Sequence, residues 1–148
     1  MPEFLDLHGR TSKLLRDLAD ADMRRLGLHP GQNHLLAVLW ERDGRTPGEI
    51  AAVLHVTTPT VVKGATRMAA DGLLTRSRDE KDNRLVRLWL TDAGRALQGP
   101  VERARQSLED RVTDDLTSLE RDQFLATLAK ICRSASHLLG EAEVDSEL

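Results

Sequence analysis

Residues 44–95 read GRTPGEIAAVLHVTTPTVVKGATRMAADGLLTRSRDEKDNRLVRLWLTDAGR, and the order of parts in this stretch decides the fold. Thr46-Pro47-Gly48-Glu49 sets a capping hydroxyl, a proline at the first helical position and an acid at the third, which together start a helix. Ile50, Ala51 and Leu54 give that short helix one apolar face. His55-Val56-Thr57 makes a tight corner, and Thr58-Pro59 predicts a second cap-then-proline start with Thr58 as the N-cap. Val61, Val62, Ala65 and Met68 form the buried side of this second helix, and Gly72 stands where a left-handed C-terminal residue is wanted. Two short helices at this spacing are the unit that lays its second helix in a DNA major groove.

A β-ribbon follows. Leu74 to Ser77 and Leu85 to Leu90 read as two strands, with Val86, Leu88 and Leu90 on one face. The intervening Arg78-Asp79-Glu80-Lys81-Asp82-Asn83-Arg84 is too charged to bury and forms the tip of a wing, able to reach a minor groove or its phosphates. Helix-turn-helix plus wing predicts a mainly α chain with a small β-wing, that is, a winged-helix domain.

From Leu28 to Arg95 the chain resembles the MarR family of transcriptional regulators. Leu28-His29-Pro30-Gly31-Gln32 with Leu36 and Leu39 is similar to the start of that family's second helix. Thr46-Pro47 with Glu49-Ile50-Ala51, then Val56-Thr57 with Pro59-Thr60-Val61, resembles its helix-turn-helix. Gly72-Leu73-Leu74 with Arg76, Asp82 with Arg84, and Leu90-Thr91 with Gly94-Arg95 match its wing and the helix after it. Close to half the chain carries these motifs, and the set in this order is specific. Gly64, Asn33 and Trp89 depart from the pattern. Gly64 stands where a larger apolar residue is usual, at a cost of about 1 kcal/mol relative to alanine. Asn33 occupies an often aromatic position. Trp89 replaces a small residue and is expected to pack against a neighbouring helix.

Charge supports a DNA face. The net charge is −3, but residues 57–90 hold seven Lys or Arg against four acids, whereas residues 109–148 hold four against ten. Basic charge therefore coincides with the motif, where counterion release would drive binding. The four aromatics, Phe4, Trp40, Trp89 and Phe124, are too few for a base-stacking single-strand binder. No apolar run of membrane-spanning length or signal-peptide pattern occurs, so a soluble, cytoplasmic chain without membrane association is expected. Phosphate-loop, activated-serine, paired-cysteine and metal-hydrolase signatures are absent, which argues against an enzyme, and no cofactor is expected. The five histidines show no metal-ligand spacing, and His137 with Glu141 one turn on would not close a site. Cys132 excludes an internal disulfide and reads as a small buried hydrophobe.

The reading is a single protomer over 1–148, with dimerisation helices at 1–28 and 92–148 and the winged-helix DNA-binding region at 29–91. Phe4 to Leu26 is an amphipathic helix; Thr91-Asp92 caps a long helix, kinked at Gly99-Pro100; Thr117-Ser118-Leu119-Glu120 opens the last. These helices hold more apolar surface than one winged helix covers, which predicts a homodimer on a pseudo-palindromic operator of double-stranded DNA. Candidate DNA contacts are Thr57, Thr58, Thr60, Lys63, Arg67, Arg76, Arg78, Asp82 and Arg84. Arg67 either meets a phosphate or pairs with Asp71. Arg84 matches the family's wing-tip arginine, with Asp82 as its orienting partner; Arg76 and Arg78 either share that role or touch the backbone. The resemblance implies a repressor released by a small aromatic acid or phenol held between the dimer helices and the winged helix. His8, Arg10, Asn33, His34 and Trp40 are the candidate residues, an arginine with a histidine suiting a carboxylate. A winged-helix protein-interaction module without specific DNA binding is the alternative.

Overall fold

The computed structural model describes residues 1–140, leaving the tail and its Glu141 outside the described residues. By contact density the chain divides into two compact units, Met1–Leu108 and Glu109–Leu148. The first unit opens with helices α1 (Glu3–Arg25) and α2 (Gln32–Glu41). It continues with α3 (Pro47–Leu54), α4 (Thr58–Ala70), strands β1 (Leu74–Arg78) and β2 (Val86–Leu90), and α5 (Asp92–Ala96). Helix α6 (Gln98–Val112) runs across the division, and α7 (Ser118–Leu138) lies in the second unit.

Local chemistry explains the joints. Thr46 caps α3 by accepting from Glu49 N at 3.2 Å, and Pro47 follows it. His55 closes α3 at φ 54, a left-handed corner rarely adopted by a non-glycine residue. Gly72, at φ 79, takes the same conformation after α4. The N-cap of α4 is Thr57 rather than Thr58: Thr57 has the extended backbone a cap needs and its hydroxyl accepts from Thr60 N. Thr58 is already helical, which places Pro59 in the first turn, where its missing N–H breaks no bond.

β1 and β2 pair antiparallel from Leu74↔Leu90 to Arg78↔Val86. An isolated bridge, Arg45↔Leu88, ties the approach to α3 onto the ribbon. The core gathers Leu35, Leu36 and Leu39 of α2, Ile50 of α3 and Val61, Ala65 and Met68 of α4. Leu74, Leu88 and Leu90 of the ribbon, with Val101 of α6, complete it. The recognition helix and wing are thus seated on one apolar cluster.

Three expectations are corrected. The break predicted at Gly99-Pro100 falls at Leu97, between α5 and α6, and leaves Pro100 in the first turn of α6 without loss of a helical bond. Trp89 packs not on a helix but over Gly44, whose φ of 73 and missing Cβ make room for the indole. Cys132 is exposed, not buried, because no residue of α7 is buried in the protomer.

Candidate nucleic-acid interface

Helix α4 buries Val61, Ala65 and Met68 but not Val62, which was expected on the buried side and stands exposed with Thr58, Pro59, Thr60, Lys63, Thr66 and Arg67. Lys63 and Arg67 therefore share the free side of the helix. Among the described residues Arg67 has no side-chain partner, Asp71 included, so its charge is unspent. The Thr57 and Thr60 hydroxyls lie 2.8 Å apart in a mutual hydrogen bond at the helix start.

The wing tip is built on Asp79. One of its carboxylate oxygens accepts from Lys81 N at 2.7 Å and Asp82 N at 3.1 Å, and the other accepts from Arg87 Nε at 2.7 Å. Arg87 Nη1 also donates to Gly44 O at 2.9 Å, so one guanidinium pins the ribbon to the loop before α3. The Arg87 hydrogen bond, helped by the two backbone N–H groups, lowers the Asp79 carboxyl to about 2. The same bond raises the Arg87 pKa.

The folded value lies below the ordinary 3.8, so this contribution to wing order is present above pH 3.8 and is lost as pH falls through about 2. Following the Asp79 carboxyl carbon by NMR should therefore give a midpoint near 2, moving back toward the ordinary value in Arg87→Ala. A midpoint unmoved by that substitution would remove Arg87 as the cause.

Arg84 stands beyond this staple. Its Nε and Nη2 donate to the two Asp82 carboxylate oxygens at 3.0 and 3.2 Å, and its own N–H donates to Asp82 at 3.1 Å. These bonds hold the Asp82 carboxyl below its usual range. The Arg84 side chain is nonetheless 90% exposed, a cation aimed by a carboxylate yet open to a partner. Arg78 Nη1 donates to Asn83 O at 2.7 Å and braces the tip, while Arg76 is exposed on β1. Asp79 and Arg87 escaped the sequence reading, which counted them only as charges. Their signal was the hairpin register, which returns Arg87 beside the start of the tip.

The expected ligand residues do not converge. His8 and Arg10 are exposed on α1, with the His8 ring 5.7 Å from that of Phe4. Asn33 is buried, and Trp40 Nε1 donates to Gly94 O at 3.0 Å. A cavity of about 430 Å³ does open between the start of α2, the end of α3 and the inner side of α4. Of the five candidates it includes His34 alone, with Gln32, Leu35, Leu54, Val61, Gly64 and Met68 among its walls. Gln32 Oε1 accepts from His29 N at 2.9 Å, and its buried Nε2 has no partner. No group of three metal-ligating side chains occurs among the described residues, and no described helix is long and apolar enough to cross a membrane.

A recognition helix beside a stapled ribbon defines a winged helix-turn-helix protein. The MarR family model matches residues 28–86. A solved MarR-family transcriptional regulator from Silicibacter pomeroyi is 31% identical, each chain covered over 84%, at a TM-score of 0.65. The HTH-type transcriptional regulator TtmR of Methylorubrum extorquens (strain PA1) is 38% identical over 68 residues, 46% of this chain and 35% of that protein. The chain thus matches about a third of TtmR's length. The crystal structure of the S. aureus MepR–DNA complex is 26% identical with a TM-score of 0.79, covering 88% of this chain and 97% of that one. The chain belongs to the MarR family of transcriptional regulators, a family of regulators and not of enzymes.

Proposed function

We propose that the protein is a homodimeric, sequence-specific DNA-binding repressor. Helix α4 enters the major groove through Thr57, Thr58, Thr60, Lys63 and Arg67, and the wing sets Arg84, aimed by Asp82, into the neighbouring minor groove or onto its phosphates. Arg76 and Arg78 lie on the backbone beside it. The observation that carries this reading is Arg84, held bidentately and still 90% exposed. The likeness to MepR, solved with DNA, supports it. A two-fold dimer presents its two helices to half-sites about 34–36 Å apart, and a dimer seated on a promoter blocks polymerase.

The cavity behind α4 is the proposed effector site. Its apolar walls suit the ring of a phenol or small aromatic acid. Filling it would shift α4 against α2 and α3 and spoil the simultaneous fit to both half-sites.

The test is fluorescence anisotropy with the DNA flanking the protein's own gene, across a salt series with random DNA as competitor. Arg84→Ala is expected to weaken binding about tenfold or more, and to reduce the salt slope by roughly 1 to 2 because a dimer carries two copies. Dimerisation should be unchanged. Wild-type binding no tighter than to random DNA would favour the protein-interaction module instead.

A further inference from the structure

We infer that α4 reads thymine methyl groups in each half-site and that Val62 is the residue that reads them; this rests on the DNA-binding function proposed above. Thr58, Val62 and Thr66 are spaced four residues apart and form one exposed row, roughly a quarter turn around the helix from the buried Val61, Ala65 and Met68. Val62 is 41% exposed, the largest apolar side chain on the free side of the helix. Of the threonines near it, Thr66 and one of the Thr57–Thr60 pair spend their O–H within the helix. Thr66 Oγ1 donates to Val62 O at 2.8 Å, and Thr57 and Thr60 are bonded to each other.

The inventory of the helix narrows the code further. Residues 58–70 read TPTVVKGATRMAA, with no Asn, Gln, Asp or Glu. Adenine is read in the major groove by side-chain amides and cytosine by carboxylates, and neither is present. Cations read guanine, and apolar groups read the C5-methyl of thymine. Lys63 and Arg67 therefore serve guanine or phosphate, and the apolar row centred on Val62 serves thymine. A thymine methyl against a valine methyl buries apolar surface from both partners, without any hydrogen bond to satisfy.

The experiment selects the preferred site from a random DNA pool with the full-length protein, then replaces each thymine of that site by uracil, which lacks only the methyl. One or two thymines per half-site should show a loss of roughly 3- to 10-fold, the scale of one buried methyl group. In Val62→Ala, whose exposed position leaves the fold and thermal midpoint intact, the same replacements should cost less than about twofold on that scale. Val62→Thr, which keeps one methyl, should retain part of the penalty. An enriched site with a flat uracil scan, or a penalty that persists in Val62→Ala, overturns the inference and leaves the DNA-binding function standing. A pool with no enriched sequence overturns both.

Discussion

Replacing Leu14 and Leu18 of α1 together by glutamate is expected to leave a folded monomer whose operator affinity is lower by roughly 10²- to 10⁴-fold, the scale of avidity lost with a second linked site. Helix α1 is 23 residues long and buries only Met23 in the protomer. Leu14 is 54% exposed and Leu18 45%, and Phe4, Leu5, Leu7 and Leu15 are exposed along the same helix. In the homodimer proposed above, these bare apolar side chains are the surface that a second copy would cover. Each leucine contributes about 1.5–3 kcal/mol if fully covered by a second copy, and a glutamate in its place adds an unpaired charge to a dry interface. Because neither leucine supports the protomer core, the variant should keep its helical content. Sedimentation equilibrium would report the mass and anisotropy the affinity. A variant that stays dimeric removes α1 from the interface, and a monomer that binds as tightly as wild type removes the bivalent mode.

The parts of this fold that were legible in the sequence are those specified within a few residues. Thr46-Pro47 and Thr57 to Pro59 announce their helices through caps and proline. The alternation of Val86, Leu88 and Leu90 gives the ribbon its inner face, and the charge of residues 78–84 marks a segment that has to stay in water. The choice between Thr57 and Thr58 was not legible, since both residue types suit a cap and only the backbone dihedrals decide. Contacts remote in sequence were hidden altogether. Trp40 gave no sign that its N–H donates to the carbonyl of Gly94, 54 positions on. Asp43 carried no signal, yet it accepts from Gly44 N and Leu90 N at 3.0 Å each and lies 3.5 Å from Arg95. Lys63, Arg67, Arg76, Arg78 and Arg84 of the candidate set were legible as a basic group; the staple that orders the wing, Asp79 with Arg87, was not, because a salt bridge leaves no periodic trace. At Gly64, the departure from the family pattern, space does not demand glycine: a Cβ would meet only Leu35 Cδ1, at an ordinary 3.9 Å.

That last glycine provides the control for the second large effect. Gly94→Ala is expected to destabilise the first unit by about 3 kcal/mol, at the upper end of overpacking costs, whereas Gly64→Ala should be neutral or stabilising by up to about 1 kcal/mol. Gly94 has an ordinary backbone, so its need for glycine is a matter of space. An added Cβ would collide with the carbonyl oxygen of Leu73 and sit 3.3 Å from Leu90 Cδ2. The Leu73 carbonyl cannot retreat freely, since it accepts from Thr91 N at 3.1 Å, and the Thr91 hydroxyl donates to Gly72 O at 2.6 Å. Gly94 is held on its other side as well. Its N–H donates to Thr91 Oγ1 at 3.1 Å, and its carbonyl accepts from Trp40 at 3.0 Å. The substitution therefore pushes α5 away from the turn after α4 and pulls on α2 in the same movement, so relief of the clash costs a hydrogen bond on one side or the other. At Gly64 the backbone is helical, the space is open, and alanine restricts the unfolded chain more than glycine does. Thermal melts of the two variants at one protein concentration should move in opposite directions, with Gly94→Ala lower by roughly 10 °C or more. A Gly94→Ala protein that melts with the wild type would mean that α5 shifts without strain and that the close approach to Leu73 does not hold the wing to the helix that follows it.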